Sequence, residues 1–275
     1  MDAYALSCRP IMEYRLKKSL GQHFLKDEEI SKRIVAALCE RPFHQLLEVG
    51  PGAGALTKYL LELQNINFLA VELDTEKVEY LHSKYPALEN KIIHKDFLAI
   101  DPPFEGPFTM VGNFPYNISS QILFKALDWK DQVESVVGMF QKEVAERVAA
   151  GPGSKVYGVT SALVQAYFAV EYLFDVPPSA FNPPPKVMSG VIRLTPKLAP
   201  EAGAAGGQQT GTIPVMHSER RYKNLVKTAF NQRRKQLRNA VKSLFDEEVL
   251  KDEIFTKRAE QLSIDDFAML TFKMR

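Results

Sequence analysis

Residues 44–63 read HQLLEVGPGAGALTKYLLEL, and the change of character in the middle decides the fold. An apolar run, HQLLEVG, breaks into Gly50, Gly52 and Gly54, after which ALTKYLLEL resumes with helical spacing. Glycines between a strand and a helix allow a tight turn, close backbone approach to a ligand, and main-chain amides aimed at an anionic group. The alternation continues outward. NFLAVELD (67–74) is a second apolar run, EKVEYLHSKY (76–85) is helical, KIIHKDF (91–97) is a third strand and FTMVGNF (108–114) a fourth. This order predicts an α/β fold: a mostly parallel sheet with helices on both faces. In such sheets ligands bind beyond the carboxyl ends of the strands, so the strand-end residues carry the functional information.

The first end fits the dinucleotide pattern G-x-G-x-x-G/A through Gly50, Gly52 and Ala55, which keeps a nicotinamide enzyme as a competing reading. The second end is Glu72, whose carboxylate can accept hydrogen bonds from both hydroxyls of a ribose. The third is Asp96, which can accept from an adenine amino group. Both acids are also common as ordinary strand-end residues. The fourth end lies in VGNFPYNIS (111–119), where Asn113, Phe114, Pro115 and Tyr116 follow one another. Asn and Pro routinely mark a plain strand-to-loop junction. Beside an adenosine-bearing cofactor they do more. Hydride transfer has no use for them, whereas methylating an exocyclic amine requires a planar nitrogen to be drawn toward tetrahedral geometry. The Asn113 side-chain oxygen and a neighbouring backbone carbonyl, freed by Pro115 from regular pairing, can accept the two N–H bonds, and Tyr116 can stack on a flipped-out base. A second amine-methylation tetrapeptide, DPPF (101–104), falls too soon after Asp96 and is expected in a connecting loop.

Composition excludes several classes. At 275 residues and 45% hydrophobic content the chain can bury a substantial core. Cys8 and Cys39 are too few for a disulfide framework and lack zinc-ligand spacing, so a reducing compartment is expected. No signal-peptide core or membrane-length apolar run is present, which predicts a soluble, cytoplasmic protein. Net charge is only +2, but it is sorted. Arg220 to Lys242 holds nine Lys or Arg and no acid, whereas Asp246 to Arg275 holds eight acids against five bases. Leu225, Ala229, Phe230, Leu237 and Val241 recur through the basic segment at roughly helical spacing, predicting one or two amphipathic helices with a basic outer face. Such a face is either simply solvated or a polyanion contact; the complete lack of acids favours a polyanion, most commonly a phosphate backbone, through Arg220, Arg221, Lys223, Arg233, Arg234, Lys235 and Arg238. EAGAAGGQQTG (201–211) reads as a flexible connection. The expected organisation is a catalytic domain over 1–196, a linker over 197–212 and a small basic helical domain over 213–275.

With these residues assembled, the chain resembles the KsgA-type ribosomal RNA adenine dimethyltransferases and their eukaryotic counterparts. The resemblance runs from about Lys17 to Pro196, and more loosely beyond. It includes KKSLGQHFL (17–25), QKEVAERVAAGPGSKVYG (141–158) and FNPPPKVMSGVIRL (181–194). It implies a Rossmann-like class I methyltransferase domain using S-adenosylmethionine, released as S-adenosylhomocysteine, without a metal. It implies Gln22, Leu25 and the Gly50 loop around the donor, with Glu72 on its ribose, Asp96 on its adenine and Asn113 at the reacting end. Phe181 is implied as a second aromatic holding the target base against Tyr116. The implied substrate is a pair of adjacent adenosines in a hairpin near the 3′ end of small-subunit rRNA, each methylated twice by a monomer acting on the small ribosomal subunit. Two departures stand out: His23 where bacterial members often carry Asn, which receives no role here, and Phe114 in place of the more usual Leu.

Overall fold

The structure, a computed structural model, describes residues 23–199 and 211–275. The chain opens with a short strand β1 (Phe24–Leu25) and helix α1 (Glu28–Cys39), capped by Asp27, whose carboxylate accepts from the N–H groups of Glu29 and Ile30. The predicted alternation follows: β2 (Gln45–Val49), α2 (Thr57–Leu60), β3 (Asn67–Glu72), α3 (Thr75–Lys84), β4 (Ile92–His94), β5 (Phe108–Asn113), α4 (Ser119–Asp128) and β6 (Val133–Gln141). Then come α5 (Lys142–Ala149), α6 (Val159–Tyr167), β7 (Phe168–Val176), β8 (Phe181–Asn182) and β9 (Ser189–Pro196). The C-terminal part contributes α7 (Glu219–Phe230), α8 (Leu237–Ala240) and α9 (Ile264–Lys273). Among the described residues no helix is long and apolar enough to cross a membrane.

Seven strands form one sheet in the order β4-β3-β2-β5-β6-β9-β7. β2 to β6 pair in parallel, and β9 inserts antiparallel between β6 and β7. The order reverses between β2 and β5, which opens a crevice at the carboxyl ends of these two strands. The pleat sends Leu47, Val71, Met110, Val136 and Ile192 to one face and Leu46, Ala70, Val111, Val137 and Val191 to the other, where α1 to α3 cover them. On the first face α4 and α6 pack, and α7 to α9 continue that same core. Tyr222 is fully buried and donates its hydroxyl to the Ala162 carbonyl at 3.0 Å, and Phe230 packs between Tyr157 and Phe267. Leu198 pairs with Gly211 and Ile213 through backbone hydrogen bonds of 3.0 and 2.8 Å, tying the start of the C-terminal part to the segment after β9.

Two predicted elements are shorter than expected, for local reasons. α2 keeps only four residues of ALTKYLLEL: the loop before it is held in positive-φ turns, and after it Glu62 and Leu63 donate to carbonyls three residues back, tightening the helix out of register. β4 ends at His94, two residues before Asp96.

Candidate active site

Gly50, Gly52 and Gly54 adopt φ values of 67°, 58° and 83°, which residues with a Cβ rarely take. Their N–H groups are taken up within the chain rather than left open as the glycine pattern suggests. Gly50 donates to Val71, Gly54 to Pro51, and Gly52 to the Glu72 carboxylate. The glycines build the turn, and the amides of Ala53 and Ala55, which line the cavity, are among those left without a hydrogen bond among the described residues. Glu72, only 6% exposed, organises the other side. Its Oε1 accepts from Leu73 and Asp74, each at 3.0 Å, and its Oε2 from Gly52 at 3.2 Å, with the Lys77 ammonium 3.8 Å away. Three N–H bonds leave one of about four lone-pair positions on the carboxylate for a hydroxyl. Leu73, next in sequence, is 64% exposed.

At the end of β5, Asn113 pairs through its backbone with Met139, and the Phe114 N–H donates to the Met139 carbonyl at 3.1 Å. Among the described residues no hydrogen bond occupies the Asn113 side-chain amide or the Phe114 carbonyl. Phe114 itself is 1% exposed and packs against Phe140, with ring centroids 4.9 Å apart, so its side chain anchors the turn while its carbonyl remains open. Tyr116 begins a short 3-10 turn, and its hydroxyl lies 2.5 Å from the Ser189 hydroxyl. Burial holds the Tyr116 hydroxyl above its ordinary pKa, against the opposing effect of the Ser189 hydrogen bond, so it stays protonated at neutral pH.

These groups meet in a cavity of about 710 Å³ at the strand-order reversal. Of the residues expected there, Leu25, Gly50, Gly52, Glu72, Asn113, Phe114, Pro115 and Tyr116 line it. Gly54 does not; it lies under the Tyr85 ring, where an added Cβ would sit 2.5 Å from a ring carbon. Asp96 also lies outside the lining: it is exposed, and its carboxylate accepts from the Leu98 N–H at 2.9 Å. Phe181 is not in the lining either: it is 1% exposed, belongs to the core that contains Leu25, and pairs with Leu25 in the β1–β8 ribbon. The ring beside Tyr116 is that of His23, at 6.1 Å between centroids, with Phe24 next to it in the lining. Gln22 lies outside the described residues. The DPPF stretch runs through a loop with Phe104 packed on Phe108, away from the cavity.

Sequence reasoning missed His23, Glu48, Lys77 and Gln141 in the lining. Glu48 carried a signal, being an acid inside the apolar run of β2. It is 1% exposed and accepts from the Thr57 hydroxyl at 2.8 Å. Burial, reinforced by the charge on Glu72 and opposed by the Thr57 hydrogen bond, pushes its carboxyl from 4.5 up to about 8. A raised folded-state pKa means that the protonated form favours the fold. Its stabilising contribution is complete below the ordinary carboxylate value and is lost as pH rises through about 8. Each pH unit in that window costs about 1.4 kcal/mol for a fully linked group. Glu48→Gln, which keeps an acceptor for Thr57, is expected to be increasingly more stable than the parent from pH 5.5 to 8.5. Thermal melts across that range check it; a constant difference would contradict a neutral Glu48.

The basic segment forms α7 and α8 as predicted, but its cations are not equivalent. Arg221 donates to the Thr271 and Met274 carbonyls at 3.3 and 2.8 Å, closing the end of α9. Arg233 donates to the Lys155 and Tyr157 carbonyls at 3.0 and 2.8 Å, and the Arg238 Nε is buried without a partner among the described residues. Arg220, Lys223, Arg234 and Lys235 are exposed, Lys223 standing 4.0 Å from Asp128.

A doubly wound sheet with a glycine turn, a buried carboxylate and unoccupied acceptors around one cavity at the strand-order reversal is the architecture of a class I methyltransferase. A model of the family described as ribosomal RNA adenine dimethylase matches residues 13–272. The chain belongs to that family, and so is an S-adenosylmethionine-dependent rRNA adenine dimethyltransferase. It is 51% identical over 260 residues to Ribosomal RNA small subunit methyltransferase A of Phocaeicola vulgatus, covering 93% of this chain and 88% of the relative. The Flavobacterium johnsoniae protein of the same name is 48% identical over 264 residues, covering 94% and 96%. Among solved structures, a dimethyladenosine transferase from Plasmodium falciparum superposes with a TM-score of 0.71 at 25% identity, covering 89% of this chain and 94% of that one. The 23S rRNA methyltransferase ErmE gives 0.63 at 25% identity, covering 90% and 99%.

Proposed function

We propose that the chain dimethylates two adjacent adenosines in a hairpin near the 3′ end of small-subunit rRNA, working as a cytoplasmic monomer on the small ribosomal subunit. The observation that carries the chemistry is the pair of open acceptors, the Asn113 amide oxygen and the Phe114 carbonyl, at the cavity wall beside the Tyr116 ring. Two acceptors on a rigid turn match the two N–H bonds of an adenine amino group. Holding both draws the nitrogen lone pair out of ring conjugation and orients it. Identity of 51% to a small-subunit methyltransferase, against 25% to a 23S rRNA enzyme, favours the small subunit over the large.

The cavity suits the donor: its volume lies in the usual range for small-molecule sites, and it combines open amides with a carboxylate lone pair. The Ala53 and Ala55 amides, together with Gln22, would hold the methionine end, Glu72 the ribose, and Asp96 the adenine. S-adenosylmethionine supplies a methyl group already activated as a sulfonium and leaves as S-adenosylhomocysteine, so no metal is required. Donor-dependent methylation of undermethylated small subunits, with mass mapping of the product, tests the assignment. Methyl groups found only on large-subunit rRNA, or none on either, would refute it.

The C-terminal helices (213–275) are assigned to RNA binding through Arg220, Lys223, Arg234 and Lys235. Replacing all four by Gln is expected to lower the slope of log affinity for rRNA against log salt by up to about 3.6, at roughly 0.7 to 0.9 for each phosphate no longer neutralised. Donor affinity should not move. Filter binding across a salt series measures it, and an unchanged slope would return this face to ordinary solvation. Arg221 and Arg233 are better replaced separately, since both also hold backbone carbonyls.

A further inference from the structure

Two hydrogen bonds run from the block FNPPPKVMS (181–189) to the cavity wall. The Pro183 carbonyl accepts from the His23 ring Nδ1 at 2.7 Å, and the Ser189 hydroxyl meets the Tyr116 hydroxyl at 2.5 Å. The two rings so held are neighbours, 6.1 Å apart and inclined by 31°. Ser189 is a rigid anchor. It is completely buried, starts β9, and is flanked in the sheet by Gln141 of β6 and Val176 of β7. Just before it, the Met188 carbonyl accepts from the Lys142 N–H at 2.9 Å. Tyr116, by contrast, is half-buried on a single 3-10 turn, and its ring has two free torsions unless the far end is held.

We propose that Ser189 is a positioning residue: it tethers the Tyr116 hydroxyl to the sheet, so that residues 183–189 act as a template setting the Tyr116 and His23 rings against the Asn113 acceptors. The inference rests on the reading of Tyr116 as the wall on which the target adenine stacks. A planar amine is aligned by its base plane, so a ring free to swing misplaces the nitrogen relative to Asn113 even when the RNA is bound. Misplacements of about 1 Å can cost up to about a hundredfold in rate, and a partly restrained ring should cost less.

The test is a double-mutant cycle in the full chain, with undermethylated small ribosomal subunits as substrate and single-turnover methyl transfer at saturating substrate as the readout. Ser189→Ala and Tyr116→Phe are each expected to slow transfer by about tenfold, and the double variant no further, because both singles break the same bond. Affinity for S-adenosylhomocysteine, measured by calorimetry, should stay at the parent value. A merely structural Ser189 would lower the melting temperature and leave the saturated rate alone, and that result overturns the proposal. So does a double variant whose losses multiply. Should Ser189→Ala fail to fold, Tyr116→Phe decides, since it removes the tether without disturbing the buried strand; a parental rate for that variant overturns the proposal. Tyr116→Ala separates the two levels. If it is impaired while the other variants are not, the tether alone falls; if it too transfers at the parent rate, the stacking wall falls with it.

Discussion

Replacing Asn113 by Ala is expected to slow methyl transfer by about a hundredfold or more while leaving affinity for donor and RNA nearly intact. That scale is typical when one preorganised polar group is removed from a transition state. Asn113 qualifies because β5 delivers it rigidly, through its pairing with Met139 and the neighbouring Phe114 to Met139 hydrogen bond, and because no described residue occupies its amide. The sulfonium methyl is already electrophilic, so orientation and stabilisation of developing positive charge matter more than proton removal before attack. After the first transfer the amine can donate only one hydrogen bond, so the two transfers should suffer unequally. Single-turnover assays that resolve monomethyl from dimethyl product measure both. A near-parental rate would reduce NFPY to a strand-end turn.

The second large effect is on stability. Gly138→Ala would place a Cβ 1.9 Å from Cε2 of the Phe114 ring, in a site with no free space. Gly112, on the neighbouring strand, faces the same ring at 2.7 Å, so the phenyl group lies in a cradle made by two missing side chains. Overpacking of this severity is expected to cost about 3 kcal/mol or more, a fall in melting temperature of roughly 10 °C for a chain of this size. Phe114→Leu alone should cost about 1 to 1.5 kcal/mol. Combined with Gly138→Ala it should recover part of the loss, because the clashing Cε2 and Cζ atoms are gone. Thermal melts of the two singles and the double decide it. Simple additivity would mean that Phe114 does not depend on the glycine cradle.

How far the sequence reaches depends on whether a residue's task is local. The parallel sheet, the glycine turn, Glu72 at a strand end and NFPY at the next were legible because each follows from neighbours a few residues away: period-two burial, a φ that only glycine adopts easily, a proline that ends a strand. The open Asn113 acceptor belongs to this group, since Pro115 and the strand end place it. What required the tertiary structure is everything set by partners far along the chain. The pattern promised glycine amides to a ligand, but Val71, Pro51 and Glu72 take them and leave those of Ala53 and Ala55. Phe181, one position of an aromatic-proline motif, is buried because β1 pairs over it from more than 150 residues earlier, and the same pairing brings His23 to Tyr116. Arg221 and Arg233 look identical to Arg220 and Arg234 in a basic run, yet carbonyls on α9 and the loop before α6 claim them. Sequence alone determined which chemistry the strand ends could perform. Only the fold decided which side chains remain free to perform it, because hydrogen-bond capacity and buried space are consumed by contacts that have no fixed spacing along the chain.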